Sequence, residues 1–153
     1  MSETTHAHIT GNPLDYHHIA DGIFVGTNQC CLMGLHEVLK NEGITADISL
    51  EENRLDQPFG VAAYLWLPTP DHAPPSKLQL ALGIAMLLEL ISHKQKVYVH
   101  CKNGHGRAPT LVAAFLIAER GYAPEKAIAL LKSKRSSVHL QPGQEEMLKR
   151  LAA

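Results

Sequence analysis

The stretch Val99-His100-Cys101-Lys102-Asn103-Gly104-His105-Gly106-Arg107-Ala108-Pro109-Thr110 carries the reading of this chain. It leaves the apolar run Val97-Tyr98-Val99, turns through two glycines and enters a segment in which Leu111, Ala114, Phe115 and Ala118 recur at helical spacing up to Gly121. A buried strand, a tight turn and a helix start in that order outline an anion site. Loop N–H groups can converge on phosphate oxygens there, and the helix N-terminus adds positive potential. Gly104 and Gly106 permit the backbone angles that such a turn needs. Pro109 suits the first helical turn, where its missing N–H has no intrahelical partner to lose.

Cys101 sits where that potential acts, and a positive field favours an anionic, nucleophilic sulfur. A lone cysteine at a strand end is ordinarily a packing residue. Here the order His-Cys, five residues with two glycines, arginine and helix points to a nucleophile instead. The Arg107 guanidinium is a planar fork that can grip two phosphate oxygens. The expected phosphate cradle comprises His100, Lys102, Asn103, Gly104, His105, Gly106 and Arg107, with His100 orienting the loop through hydrogen bonds. Expelling an alkoxide or phenoxide from phosphate is slow unless the leaving oxygen is protonated, so a general acid is also required. Asp71, in the proline-rich loop from Pro68 to Pro75, is the candidate, with His72 as the alternative. Ser76 already suits the cap of the following helix, which frees Asp71 from that duty.

Working outward, Ile19 to Val25 reads as a strand ended by Gly26-Thr27-Asn28, and Cys30 to Lys40 as a helix closed by Asn41-Glu42-Gly43. Ile44 to Leu50 reads as a strand with Ile44, Ile48 and Leu50 on one face, and Val61 to Leu67 as another. Ser76 with Gln79 makes a capping box for a long helix, and Pro124 to Lys134 and Pro142 to the end read as further helices. Strands come early and helices late around one sheet, which predicts an α/β layered domain. Residues 1–17 are expected to be a loosely held lead-in and residues 18–153 a single domain. Leu78 to Ile91 is interrupted by Gly83 and Glu89 and is too short for a bilayer, so it reads as a core helix and no stable membrane insertion is expected.

The 153 residues are 45% hydrophobic and 19% charged, a balance that suits one folded domain. A formal charge of -1 argues against a nucleic-acid partner. The opening Met1-Ser2-Glu3-Thr4-Thr5 has neither a basic region nor an apolar run, so no secretory signal is read and the cytoplasm is the expected compartment. Three cysteines form no paired framework and read as free thiols. Cys30 and Cys31, being adjacent, are expected to pack rather than bridge, and a redox role toward Cys101 would require them to lie close to it. His6, His8, His17 and His18 lack regular ligand spacing and read as solvated, so no metal is expected. Lys132, Lys134 and Arg135 read as favourable charge at a helix C-terminus.

Taken together, these residues resemble the cysteine-dependent protein-tyrosine phosphatases, specifically the small dual-specificity class, whose signature is His-Cys, five residues, Arg. The resemblance spans nearly the whole domain, with Ile19 to Gly26 similar to the opening strand, Gly43 to Glu51 to the next helix–strand junction and Pro70-Asp71 to the general-acid loop. It implies a central mixed, largely parallel sheet flanked by helices, and a cysteinyl-phosphate intermediate formed on Cys101. Asp71 would act first as acid and then as base, with no cofactor. Implied partners are phosphorylated proteins or small phosphomonoesters. Lys102, His105 and the run Val138 to Gln144 are similar to phosphatases of phosphoinositides and phosphatidylglycerophosphate, which makes a phospholipid the alternative substrate.

Two positions depart from the pattern. Ala108 stands where a serine or threonine usually stabilises the departing thiolate, with Thr110 two positions later, and only Gln141 or Gln144 is available to position the attacking water. A catalytically weak phosphate-binding module is therefore a further alternative.

Overall fold

The computed structural model describes residues 13–153. Five strands form one sheet in the order β1-β2-β5-β3-β4, in which β1 runs antiparallel to β2 and the remaining neighbours are parallel. They are β1 (Tyr16–Ala20), β2 (Ile23–Gly26), β3 (Ile44–Ser49), β4 (Ala63–Trp66) and β5 (Lys96–His100). The helices are α1 (Glu37–Asn41), α2 (Lys77–Ser92), α3 (Arg107–Arg120), α4 (Pro124–Lys134) and α5 (Pro142–Ala152), with a 3-10 turn at Asn28–Cys31. The mixed, largely parallel sheet is the one expected.

Alternation along the strands sends two sets of side chains to opposite faces. Ile23, Val25, Ala46, Ile48, Val97 and Val99 meet residues of α2 to α5 in the larger core, whereas Phe24 and Tyr98 join Cys30, Cys31 and Leu39 in a smaller one. α3 is central to the larger core, burying every residue from Arg107 to Ile117. Gly83 of α2 makes the close approach possible, because a Cβ there would lie 2.6 Å from a Leu111 methyl carbon.

Several expectations change in detail. Ile19–Val25 is the central part of a hairpin rather than one strand, because Asp21 takes a left-handed conformation (φ 49°) and Asp21-Gly22 turns the chain between β1 and β2. β1 begins at Tyr16, inside the segment expected as a lead-in, whose first twelve residues, with His6 and His8, lie outside the described residues. Cys30–Lys40 is not one helix. Gly34 is left-handed (φ 88°) and donates to the Gln57 carbonyl at 2.9 Å, while Leu35 donates to the Phe59 carbonyl at 2.8 Å. These bonds tie residues 34–35 to the loop after β3, so helix resumes only at α1, capped by His36 Nδ1 accepting from the Val38 N–H. Ile44 packs into the smaller core, away from Ile48 and Leu50, because the β3–β5 register shifts between Ile44 and Ala46. α2 is core on one side only, burying Leu80, Gly83 and Leu87 while Leu78, Leu82 and Leu88 face solvent. Its Ser76–Gln79 capping box forms as expected.

Because β2 to β5 are parallel, their C-terminal ends share one edge, and the loops that follow them meet there. That edge is where open α/β sheets place their ligands.

Candidate active site

The strand–turn–helix read from sequence is present. β5 ends at His100, residues 101–106 form a bent loop, and α3 starts at Arg107. Gly104 has φ 71°, and a Cβ on it would sit 2.7 Å from the Gly26 carbonyl, so the loop closes against the end of β2 only with glycine there. A cavity of about 130 Å³ opens over this loop, lined by Cys101, Lys102, Asn103, His105, Gly106 and Arg107. Across from the loop it is bounded by Asp71, His72, His139, Gln141 and Gln144. The structure thus gathers the candidate nucleophile, acid, guanidinium and both glutamines at one cavity.

Arg107 is almost fully buried, and its Nη1 donates to the Thr69 carbonyl at 2.9 Å. Its Nη2 lies 3.6 Å from an Asp71 carboxylate oxygen, so one guanidinium links the start of α3 to the proline-rich loop from Pro68 to Pro75. Asp71 itself is well exposed at the mouth. His72, in a left-handed conformation, stands 3.8 Å from Asp71.

Arg135 was expected as surface charge at a helix end and is instead 1% exposed. Its Nε donates to the Gly104 carbonyl at 3.1 Å and its Nη2 to the Asn103 carbonyl at 2.8 Å, while Nη1 lies 3.2 Å from Asp15 and 2.9 Å from His17 Nδ1. The arginine, which does not line the cavity, thus holds two carbonyls of the loop from outside it. No local pattern marks it, because the chain reverses after α4 only in three dimensions. His17, expected to be solvated, is thereby a partner of this arginine. Lys132 and Lys134 are exposed as expected.

His100 is fully buried, with Nδ1 3.1 Å from the Cys101 carbonyl. Its other nitrogen brings in two residues that sequence reasoning missed, Asp56 at 2.7 Å and Asp47 at 3.2 Å. Burial disfavours the imidazolium, but the two carboxylates outweigh burial and hold its pKa well above the usual histidine value. Burial pushes Asp47 up to about 6 against the pull of His100. An aspartate inside a buried strand is the signal that could have flagged Asp47, since the residue is unfavourable there without a partner.

The family model of the dual specificity phosphatase catalytic domain matches residues 23–152. The chain belongs to that family. It is 41% identical over 75 residues to the human protein named phosphatidylglycerophosphatase and protein-tyrosine phosphatase 1, a match covering 49% of this chain and 37% of that protein. The chain therefore spans well under two thirds of that relative's length. Among solved structures, a variant of human DUSP28 aligns with a TM-score of 0.81 at 26% identity, over 92% of this chain and 95% of that one. PTPMT1 in complex with PI(5)P aligns with a TM-score of 0.75 at 28% identity, over 90% and 94%.

In this dual specificity phosphatase domain the two departures have structural consequences. Ala108 is fully buried and offers no hydroxyl to the loop, and the Thr110 hydroxyl is spent on the Gly106 carbonyl at 2.7 Å. Gln144 is spent too, its Nε2 donating to the Ala73 carbonyl at 3.1 Å and its Oε1 accepting from the Gln141 N–H at 2.8 Å. It therefore fastens the proline-rich loop that carries Asp71 to the start of α5. Partial burial and the neighbouring Arg135 push the His105 imidazole below the usual value, toward the neutral form. Among the described residues, no helix is long and apolar enough to cross a membrane.

Proposed function

We propose that this chain hydrolyses phosphomonoesters through a cysteinyl-phosphate on Cys101. The reading is carried by one observation: Arg107 is anchored on the Thr69 carbonyl while its free edge meets Asp71 over the cavity that holds Cys101. In this mechanism the phosphate oxygens accept from the loop N–H groups of Lys102 to Arg107 and from the Arg107 fork. The Cys101 thiolate attacks phosphorus, the ester P–O bond breaks, and Asp71 gives its proton to the departing oxygen. Water then attacks the cysteinyl-phosphate, the P–S bond breaks, Asp71 accepts the water proton, and inorganic phosphate leaves. Because Gln144 is committed to Ala73 and to the cap of α5, we assign water positioning to Gln141.

Phosphorylated tyrosine and mixed-specificity protein substrates are the first substrate class. A phospholipid phosphomonoester is the second reading, favoured by the cavity rim, where Lys102, His72 and His139 could meet additional oxyanions. The relative named phosphatidylglycerophosphatase and the PI(5)P complex of PTPMT1 support it. We keep the cytoplasm as the proposed compartment.

The test is hydrolysis of a small aryl phosphate, followed by rates on phosphotyrosine peptides, phosphoserine peptides, phosphoinositides and phosphatidylglycerophosphate. Turnover that disappears with Cys101→Ser is expected. Full activity in that variant would remove the nucleophile, whereas stoichiometric phosphoenzyme without turnover would identify a phosphate-binding module instead.

A further inference from the structure

Behind the phosphate loop, on the sheet face covered by α1, five metal-binding groups converge. Cys30 and Cys31 come from the 3-10 turn after β2, Asp47 from β3, Asp56 from the loop that follows it and His100 from the end of β5. One donor atom from each lies within 4.8 Å of all the others, and all five residues are buried. Both cysteines are free thiols.

Asp47 independently points to a missing partner. It is fully buried, yet neither carboxylate oxygen accepts a well-formed hydrogen bond: the nearby donor, His100 Nε2 at 3.2 Å, is already bonded to Asp56 at 2.7 Å, and the other oxygen of Asp56 is unmatched as well. Buried carboxylate oxygens are costly unless a donor or cation completes them. His100 cannot complete them all, because its Nδ1 faces the Cys101 carbonyl and its Nε2 is shared between two acids.

The donor chemistry selects among cations. Two sulfurs, an imidazole nitrogen and carboxylate oxygens suit zinc-class ions, whereas magnesium and calcium prefer oxygen alone. A tetrahedral ion with bonds of about 2.0 to 2.3 Å holds its donors roughly 3.3 to 3.8 Å apart, so closure from separations of up to 4.8 Å needs a contraction of about 1.5 Å at most. With its proton on Nδ1 and directed at the Cys101 carbonyl, His100 presents Nε2 to the cluster, the usual outer hydrogen bond of a metal-bound histidine. Burial pushes the Cys30 thiol well up, and coordination is what converts such a thiol to thiolate.

We propose that Cys30, Cys31, Asp47 and His100 form a structural site for a zinc-class divalent ion directly behind the phosphate loop, with Asp56 as the adjoining carboxylate. Binding releases the two thiol protons and the Nε2 proton of His100. The ion would tie the ends of β2, β3 and β5 together and fix the residue that precedes Cys101. The inference rests on the buried cluster and does not depend on the phosphatase reading.

The test uses the full untagged chain carrying Cys101→Ser, reduced and stripped with a chelator, then titrated with Co²⁺ and with Zn²⁺. One equivalent of Co²⁺ is expected to give thiolate-to-cobalt charge transfer in the near ultraviolet and the visible bands of tetrahedral cobalt. Zn²⁺ should bleach both and raise Tm. Combining Cys30→Ser with Cys31→Ser should abolish the charge-transfer band, and the nearly isosteric Asp47→Asn should weaken Zn²⁺ binding by about tenfold or more. Circular dichroism checks that the variants fold; if the double variant does not, Asp47→Asn decides. Absence of the charge-transfer band in the parent, its persistence in a folded double variant, or unchanged Zn²⁺ affinity with Asp47→Asn would each overturn the proposal.

Discussion

Ala108 stands at the start of α3 with no hydroxyl to offer the sulfur, and Thr110 has already given its own to the Gly106 carbonyl. In the proposed cycle the step that suffers is the second, when Cys101 must depart as thiolate. Restoring one hydrogen bond of about 1 kcal/mol in that transition state corresponds to roughly a fivefold rate increase. Ala108→Ser is therefore expected to raise kcat severalfold and to shrink the phosphoenzyme that accumulates in rapid-quench experiments. Asp71→Asn should behave oppositely, slowing the first step by about 10² to 10⁴ for alkyl phosphates and far less for an activated aryl phosphate. Comparing the two substrates in a single variant series separates the roles. These residues were legible in the sequence because the chemistry is local: the loop needs a cysteine, glycines and an arginine at fixed spacing, and Asp71 lies in a loop that no cap required.

At the scale of the element, the phosphate loop is shaped from outside itself. Arg135, at the end of α4, holds the Asn103 and Gly104 carbonyls and pairs with Asp15. Arg135→Ala leaves those buried groups unmatched and is expected to cost about 1.5 to 3 kcal/mol of stability, the range of hydrogen bonds to charged groups. Arg135→Lys should recover only part of it, because an ammonium lacks the planar fork that reaches both carbonyls. Weaker competitive inhibition by inorganic phosphate, measured beside Tm, distinguishes a loop-shaping role from a purely structural one. Gln144 plays a similar part for the acid loop, bonding the Ala73 carbonyl, so Gln144→Ala is expected to lower kcat on alkyl phosphates more than it changes KM. Neither role was legible in the sequence: Arg135 reads there as favourable charge at a helix C-terminus, and Gln144 as a candidate to position water rather than as a tie to the Ala73 carbonyl.

Across the whole molecule, the larger core depends on how closely α2 approaches α3. Gly83 sits at that contact, where a Cβ would come within 2.6 Å of Leu111. Gly83→Val should therefore overpack the core and cost about 1 to 3 kcal/mol, lowering Tm by roughly 2 to 4 °C for each kcal/mol in a thermal melt. The α/β class, the capped start of α2, the Gly121 end of α3 and the phosphate loop were determined by the sequence alone, since each follows from period, cap or turn chemistry within a few residues. The hairpin was signalled by Asp21-Gly22 but masked by the apolar run around it, and the break at Gly34 is decided by hydrogen bonds to residues 57–59. Only the tertiary structure brought Arg135 behind the loop and Asp47 and Asp56 onto His100. Those contacts join strands and loops far apart in the chain, and what drives them is the need of buried polar groups for partners, which no local pattern records.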